Sequence, residues 1–215
     1  MTRRTWPYWA PILLFGVLTL GESYVPPSAY LSVYAIKALL VTLTLIAFRE
    51  PLGDIRFQPA VILPSVLVGL VVFALWVGIQ EAVPYPALGR RTAFDPTPLQ
   101  NSPWGYAFLA IRLYGLVVMV PVMEEIFWRS FLLRYLTQPD FRRLPMGTFS
   151  ASALGFVVAA SALAHPEWLV AIVASLAYAL WLRRTRSLLA VVVAHAATNA
   201  ALGGYVLATG SWQYW

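Results

Sequence analysis

The sequence predicts an all-α protein, a polytopic transmembrane helix bundle of seven or eight helices. Three observations carry this prediction: the composition, the apolar runs of membrane-spanning length, and the distribution of arginines between the connections. Of 215 residues, 60% are hydrophobic and 11% are charged, against about 45–50% and about 25% in an ordinary soluble domain. A soluble domain of this length cannot bury so much apolar surface, and a disordered chain would be far more polar.

Seven apolar runs follow one another along the chain, and a membrane-spanning helix needs about 20 apolar residues. The runs comprise residues 7–20, 28–48, 59–79, 104–136, 148–164, 168–182 and 187–208. The run 104–136 is too long for one perpendicular span, and Pro121 predicts a broken or kinked helix there, which gives eight helices if the run forms two. Residues 80–103 are polar and rich in proline, so they predict an extramembrane loop within a single membrane domain, 1–215.

Arginines are concentrated in alternate connections. With the N-terminus inside, the inside set comprises Arg3, Arg4, Arg49, Arg56, Arg134, Arg142, Arg143, Arg183, Arg184 and Arg186, and the outside set comprises Arg90 and Arg91. The positive-inside rule therefore predicts a multi-pass protein with a cytoplasmic N-terminus, in the plasma membrane or, in a bacterium, the inner membrane. The same rule explains the net charge of +6, so we expect membrane lipids as partners and no nucleic acid.

Two adjacent carboxylates lie inside the run 104–136, where a charge at the helix centre costs about 2.5–3.5 kcal/mol. Glu125 and Arg129 are four residues apart, so they share a helix face and are predicted to form an ion pair. Glu124 lies about 100° away around the helix and is left to act on another group. An intramembrane carboxylate is functional by default, which makes Glu124 a candidate general base.

Two histidines are available, and the absence of cysteine excludes a disulfide, a thiol nucleophile and a thiolate metal site. His195 and Asn199 are four residues apart and share a helix face, where an imidazole and an amide donor suit the stabilisation of an oxyanion. His165 lies at the end of another run, where a lone histidine is more often structural than functional. Lys37 and Arg112 are expected to pair structurally or to snorkel to the interface.

Three short motifs occur in order in the second half of the chain. They are Glu124-Glu125-x-x-x-Arg129, a histidine that ends a span at His165, and His195-x-x-x-Asn199. Together they resemble the CPBP intramembrane proteases, which include the type II CAAX prenyl endopeptidases and their bacterial relatives. The resemblance covers roughly residues 104–208, including the stretch 182–189 before the last motif. It implies an all-α bundle around an intramembrane cavity, and an endopeptidase whose substrate is a membrane-associated peptide or protein, either prenylated or carrying a sorting signal.

The resemblance also implies a role for each motif residue. Glu124 would activate water with the help of His165, His195 and Asn199 would hold the oxyanion, and the ion pair of the first motif would support the site. The family is called metalloprotease by convention, and a divalent metal such as zinc, if bound, would take Glu124, His165 and His195 as ligands. The H-E-x-x-H helix typical of zinc enzymes is missing, and Ser161 stands where the family usually has Phe, four residues before the first histidine.

Two other functions stay open for the same network of residues. Carboxylates and histidines within spans also form the proton relays of coupled transporters. Such carriers often show inverted repeats and paired broken helices, whereas only one broken segment is expected here. A non-catalytic membrane scaffold is the third alternative, although every proposed catalytic position holds the residue type that catalysis requires.

Overall fold

The structure, a computed structural model, describes residues 5–26, 29–89 and 102–214. These residues form seven main helices, joined by connections that include short 3-10 turns. The helices are α1 (Trp6–Glu22), α2 (Tyr30–Ala47), α3 (Ile62–Ala82), α4 (Pro103–Thr137), α5 (Ala151–Leu163), α6 (Trp168–Thr185) and α7 (Leu188–Thr209). No strand occurs in these ranges, and the predicted all-α bundle is confirmed.

Five helices are long and apolar enough to cross a membrane: α2, α3 with its preceding turn, α4, α6 and α7. Helix α1 has 17 residues and α5 has 13, so they are the shortest members of the bundle. The prediction of a multi-pass membrane protein is confirmed by these lengths and compositions, while the cytoplasmic N-terminus stays a prediction.

Helix α4 is continuous over 35 residues and is not broken at Pro121. Two π-helical turns, Gly115–Met119 and Ile126–Leu132, interrupt its α-helical geometry. Pro121 follows the first of these turns directly, in the N-terminal part of the next α-helical piece. A proline cannot donate a backbone hydrogen bond and clashes with the preceding turn of an α-helix, and a neighbouring wider turn accommodates it without ending the helix.

The ends of several helices follow from single residues. Ser102, Ser150 and Ser187 precede α4, α5 and α7, and each side-chain oxygen accepts a hydrogen bond from the backbone three residues later, as helix N-caps do. Helix α7 ends where Gly210 takes a left-handed conformation with φ 70°, which glycine adopts without strain. The connection at the predicted loop 80–103 is shorter in the structure, because α3 extends to Ala82 and α4 begins at Pro103. Residues 90–101 of this loop lie outside the described ranges.

Helix α7 lies in the middle of the bundle and packs against α3, α4 and α6. Its contact with α3 is close because Gly69 has no side chain: a Cβ there would lie 2.2 Å from the Ala194 carbonyl oxygen and 2.7 Å from Ala197 Cβ. Small residues permit such close helix contacts in membrane proteins. This packing fixes the helix that carries His195 and Asn199 against the rest of the molecule.

Candidate active site

A cavity of about 750 Å³ lies inside the bundle, and residues from all seven helices line it. The four predicted catalytic residues are among its lining: Glu124 from α4, His165 from the connection after α5, and His195 and Asn199 from α7. All four are partly buried. The structure thus brings residues from three separate parts of the chain to the wall of one cavity.

The two adjacent glutamates differ in their surroundings. Glu124 is partly buried and lines the cavity, whereas Glu125 is 0% exposed and is not part of the lining. Successive residues of a helix point about 100° apart, which explains why only one of the two carboxylates reaches the cavity. The separation of Glu124 from Glu125 that the helical phase predicts is therefore present in the structure.

Glu125 forms the predicted ion pair with Arg129. Arg129 Nε lies 3.1 Å from Glu125 Oε2, and Arg129 Nη1 donates to Glu125 Oε1 at 3.4 Å. The guanidinium also donates to the hydroxyl and the carbonyl oxygen of Ser175 on α6, at 3.3 and 3.4 Å. A buried charge is costly unless it is paired and hydrogen-bonded. Arg129 is 2% exposed; it is paired with Glu125 and hydrogen-bonded through its two Nη groups, while Nε lies at ion-pair distance from Glu125 Oε2 without forming a hydrogen bond within the described residues.

Glu125 has a second partner that its position in the sequence does not indicate. His195 Nδ1 lies 2.8 Å from Glu125 Oε1. An ionised carboxylate can only accept hydrogen bonds, so Nδ1 carries the proton and Nε2 is the free ring nitrogen. The imidazole also stacks on Tyr178 of α6, with ring centroids 5.3 Å apart and an interplanar angle of 25°. Both contacts fix the orientation of the His195 ring.

Tyr178 is itself held by hydrogen bonds between helices. Its hydroxyl donates to Thr198 Oγ1 at 2.8 Å. Thr198 Oγ1 in turn donates to the Gly69 carbonyl at 2.8 Å and lies 3.0 Å from the Ala194 carbonyl. These bonds join α6, α7 and α3, so the aromatic ring that stacks on His195 has little freedom to move.

His165 is oriented by its own helix and by α3. Its Nδ1 lies 2.7 Å from the Ser161 carbonyl oxygen, which can only accept, so Nδ1 carries the proton and Nε2 is free to accept one. Trp76 of α3 packs against the imidazole at a ring-centroid distance of 6.4 Å, near perpendicular. Phe156, the nearest phenylalanine in sequence, is 57% exposed; Trp76 therefore supplies the aromatic neighbour of the histidine.

Asn199 is held against the first π-helical turn of α4. Its Nδ2 donates to the Leu116 carbonyl at 2.8 Å. A π-helical turn departs from the regular α-helical bonding, and here one of its carbonyls accepts a bond from another helix. The amide has a second N–H group, which forms no bond with the described part of the chain and is available to a ligand in the cavity.

Lys37 and Arg112, predicted to be structural, also line the cavity. Lys37 Nζ donates to Glu22 Oε2 at 2.6 Å, and the two side chains are 4% and 7% exposed. Arg112 lies over the Tyr34 ring at 4.6 Å, and its Nη1 lies 3.5 Å from the Tyr30 hydroxyl. The predicted structural pairing of Lys37 is thus confirmed by its ion pair with Glu22.

Four residues of this site are missed by reasoning from the sequence: Ser175, Tyr178, Trp76 and Glu22. None of them belongs to a motif, and each reaches the site from a helix distant in sequence. Of the four, only Glu22 could have been found from the sequence. It is a carboxylate at the end of one apolar run, and Lys37 is a charge within the next run, where it needs a partner.

The predicted metal ligands do not form a metal site in this arrangement. Over residues 5–26, 29–89 and 102–214, no three His, Cys, Asp or Glu side chains form a group that could hold a metal ion. Catalytic zinc usually has three protein ligands, and Glu124, His165 and His195 do not fit that requirement here. Both histidines nevertheless donate from Nδ1 to an acceptor, as metal-bound histidines commonly do.

Comparison with known proteins gives a family match for the second half of the chain. The family model described as type II CAAX prenyl endopeptidase Rce1-like matches residues 102–201. No curated protein and no solved structure matches the chain. The matched segment runs from the N-cap of α4 into α7, and it contains Glu124, Glu125, Arg129, His165, His195 and Asn199. The match confirms the CPBP resemblance that the motifs indicate.

Proposed function

Because residues 102–201 match the family model described as type II CAAX prenyl endopeptidase Rce1-like, we propose that this chain is an intramembrane endopeptidase that hydrolyses a peptide bond of a membrane-associated substrate with activated water. The observation that carries the proposal is the lining of the cavity by Glu124, His165, His195 and Asn199. A carboxylate, two imidazoles and an amide are the groups that water activation and oxyanion binding require.

Glu124 is the proposed general base. It is the only carboxylate of the adjacent pair that lines the cavity, since Glu125 is committed to Arg129 and His195. His165 assists it, because its Nδ1–H is held by the Ser161 carbonyl and Nε2 is left as a hydrogen-bond acceptor. A water molecule between a carboxylate and such a nitrogen has two acceptors for its protons, and a base within hydrogen-bond reach of the proton is the condition for general-base catalysis.

His195 and Asn199 are the proposed oxyanion donors. Asn199 has one N–H beyond the one bound to the Leu116 carbonyl. Donation from His195 Nε2 requires the imidazolium form, and the Glu125 carboxylate at 2.8 Å from Nδ1 would balance that charge. The role of the ion pair with Arg129 is then to hold Glu125 in place. One well-placed oxyanion donor contributes about 2.7–4 kcal/mol to lowering the barrier.

The proposed substrate is the membrane-associated end of a peptide or protein. The family description names a CAAX prenyl endopeptidase, which favours a prenylated substrate, and a substrate that carries a sorting signal is the other form considered. The cavity lining is mixed: apolar residues such as Leu13, Val17 and Leu116 lie beside charged ones. Such a surface suits a peptide with apolar side chains or a lipid chain next to the scissile bond.

The test uses the purified full-length chain in lipid vesicles with two anchored peptides, one ending in a prenylated cysteine motif and one carrying a sorting signal. We expect the wild type to cleave at least one of them and the Glu124→Gln variant to be slower by about 10²–10⁴-fold, the usual contribution of a general base. Glu50→Gln is the matched control. Glu50 lies in the α2–α3 connection, does not line the cavity, and pairs with Arg142 of the α4–α5 connection.

Cleavage by Glu124→Gln at the wild-type rate would reject Glu124 as the base. Folding is checked by comparing the thermal denaturation of the two variants, since both replace a carboxylate by an amide of the same shape. If neither peptide is cleaved by the wild type and the vesicles instead accumulate protons or solute, the transporter alternative replaces the protease.

A further inference from the structure

The cavity has a defined position between the two ends of the bundle. Consecutive helices run in opposite directions, so their connections gather at two ends. We call one the arginine end; it holds the start of α1 and the connections 48–61, 138–150 and 186–187. The opposite end holds the described parts of the other connections, residues 23–26, 29, 83–89, 102 and 164–167, and residues 210–214 after α7.

Contacts between connections confirm that each end is a spatial unit. At the arginine end, Tyr8 near the start of α1 packs against Phe141 in the α4–α5 connection, with ring centroids 5.2 Å apart. At the opposite end, the Leu88 amide donates to the Pro166 carbonyl at 2.9 Å, which joins the α3–α4 and α5–α6 connections. The two ends are therefore distinct faces of the molecule.

All connection residues that line the cavity lie at the opposite end. They are Ser23, Leu88, Gly89, Ala164, His165, Pro166 and Tyr214. The connections 48–61, 138–150 and 186–187 are fully described, and none of their residues is part of the lining. Among the described connections, those at the opposite end therefore contribute to the cavity wall and those at the arginine end do not. Leu13, Val17 and Leu20 of α1 are exposed and also line the cavity, so it opens sideways between the helices as well.

The mouth of the cavity is formed by exposed residues. Ser23 and Gly89 are exposed and line it. Tyr214 completes this rim, and its hydroxyl donates to Glu81 Oε1 at 3.0 Å. Burial, together with this hydrogen bond, raises the pKa of Tyr214 to about 12, so the phenol stays protonated and keeps the C-terminal turn attached to α3.

The two ends differ in charge. The described arginines of the arginine end are Arg49, Arg56, Arg134, Arg142, Arg143, Arg183, Arg184 and Arg186, and Arg3 and Arg4 precede α1 in the sequence. The described charges of the opposite end are Glu22 with its ion-pair partner Lys37, Glu81 and Glu167, while Arg90 and Arg91 lie outside the described ranges. Three carboxylates, Glu50, Asp54 and Asp140, pair with arginines at the arginine end, which keeps an excess of basic residues. Short cytoplasmic connections carry the excess of basic residues, so the arginine end is expected on the cytoplasmic side.

We propose that the cavity opens to the non-cytoplasmic side of the membrane, and that its substrates are membrane-anchored peptides or proteins whose cleavable segment is exposed on that side. That the cavity binds a substrate rests on the proposed function. The side of the membrane to which it opens rests on the arginine distribution and on the residues that line the cavity. A cytosolic peptide would have to cross the membrane to reach the mouth. Translocated, lipid- or helix-anchored segments reach it directly.

The depth of the cavity limits the form of such a segment. Arg112, Leu116, Val120 and Glu124 line the cavity at intervals of four residues along α4. At about 1.5 Å per residue, Arg112 and Glu124 are about 18 Å apart along the helix. An extended chain advances about 3.3 Å per residue, so five to six extended residues connect the level of Arg112 to Glu124. A free tail or an unfolded juxtamembrane segment meets this requirement, whereas a folded surface does not.

The test measures which side the mouth faces. The natural chain has no cysteine, so a single introduced cysteine reports its own exposure. Ser23→Cys places the thiol at the mouth, and Ser152→Cys is the matched control, an exposed serine in the first turn of α5 at the arginine end that does not line the cavity. Each full-length variant is produced in a bacterial inner membrane and treated with a membrane-impermeant maleimide, in spheroplasts and in inside-out vesicles.

We expect Ser23→Cys to be labelled at least tenfold faster in spheroplasts than in inside-out vesicles, and Ser152→Cys to show the reverse. The reverse pattern for Ser23→Cys overturns the proposal, because the mouth then faces the cytoplasm. Equal labelling in both preparations also overturns it, since the chain then inserts in both orientations. Absence of labelling of Ser23→Cys even after the membrane is permeabilised overturns the assignment of the mouth.

Labelling requires no catalysis, so it separates this inference from the proposed function. A protease whose mouth faces the cytoplasm would still lose cleavage in the Glu124→Gln variant, but would fail the labelling test. An inactive chain with an outside mouth would show the expected labelling while the Glu124→Gln comparison failed.

Discussion

Removal of the Arg129 charge is expected to destabilise the protein strongly. In the Arg129→Met variant, the side chain keeps a similar length, but it loses the cation–π contact of the guanidinium with the Tyr178 ring, and Glu125 loses its counter-charge. Glu125 is 0% exposed and Arg129 is 2% exposed, so water cannot replace the missing partner. Within the described part of the chain, the hydrogen-bond partner that Glu125 keeps is His195 at 2.8 Å.

The size of the effect follows from the burial of this pair. Breaking a buried ion pair by removing one partner costs about 3–5 kcal/mol, whereas a neutral hydrogen bond between membrane helices contributes only about 0.6 kcal/mol on average. The uncompensated Glu125 charge therefore dominates. Against a total stability of about 5–15 kcal/mol, this loss is a large fraction, and at about 2–4 °C per kcal/mol for a chain of this size it lowers the Tm by about 6–20 °C.

The assay is thermal denaturation of the purified protein in one detergent, with the monodisperse fraction in size-exclusion chromatography as a second readout. The Glu125→Gln/Arg129→Met variant should recover most of the loss, because no charge is left buried and the glutamine oxygen still accepts from His195. Arg143→Ala is the control: Arg143 is 74% exposed and pairs with Asp140 at the surface, where an ion pair contributes about 0–1 kcal/mol. An Arg129→Met variant that melts with the wild type would refute the reasoning.

Two further predictions concern the packing around the cavity. Lys37→Met should lower the Tm by a similar amount, because Glu22 is 7% exposed and loses its ion-pair partner at 2.6 Å. Recovery of the Tm in Glu22→Gln/Lys37→Met would support this cause. An unchanged Tm in Lys37→Met would exclude it. Gly69→Ala should also lower the Tm, because its Cβ would lie 2.2 Å from the Ala194 carbonyl oxygen. Gly78→Ala on the same helix, with no atom within 4 Å of the added Cβ, should leave the Tm unchanged or raise it, and an equal loss in both glycine variants would contradict the steric argument.

The helices could be predicted from the sequence because each depends on a local property. An apolar run of about 20 residues must form a helix in a membrane, where every backbone group needs a partner within its own segment. The seven apolar runs correspond to the seven helices of the structure. Of the break or kink expected at Pro121, the break does not occur: the helix continues past the proline beside a π-helical turn. The hydrogen-bond pattern of such a turn is not encoded by hydrophobicity.

The candidate site could be predicted only where its contacts are local. The ion pair between Glu125 and Arg129 follows from a spacing of four residues, and it forms. The bond between His195 and Glu125 joins positions 70 apart, and it depends on the packing of α7 against α4. Tyr178 and Trp76, which orient the two histidines, belong to no motif and are placed by tertiary packing alone.

The most direct test of the account measures whether Glu124 and His165 act on one water molecule. Cleavage of the anchored peptide is measured for Glu124→Gln, His165→Gln and the double variant, with kcat and KM separated. The account predicts that each single variant lowers kcat, by about 10²–10⁴-fold for Glu124→Gln. The double variant should be no slower than the slower single one, because residues that act as a unit are not additive. Losses that multiply in the double variant, or wild-type cleavage by Glu124→Gln, would contradict the account.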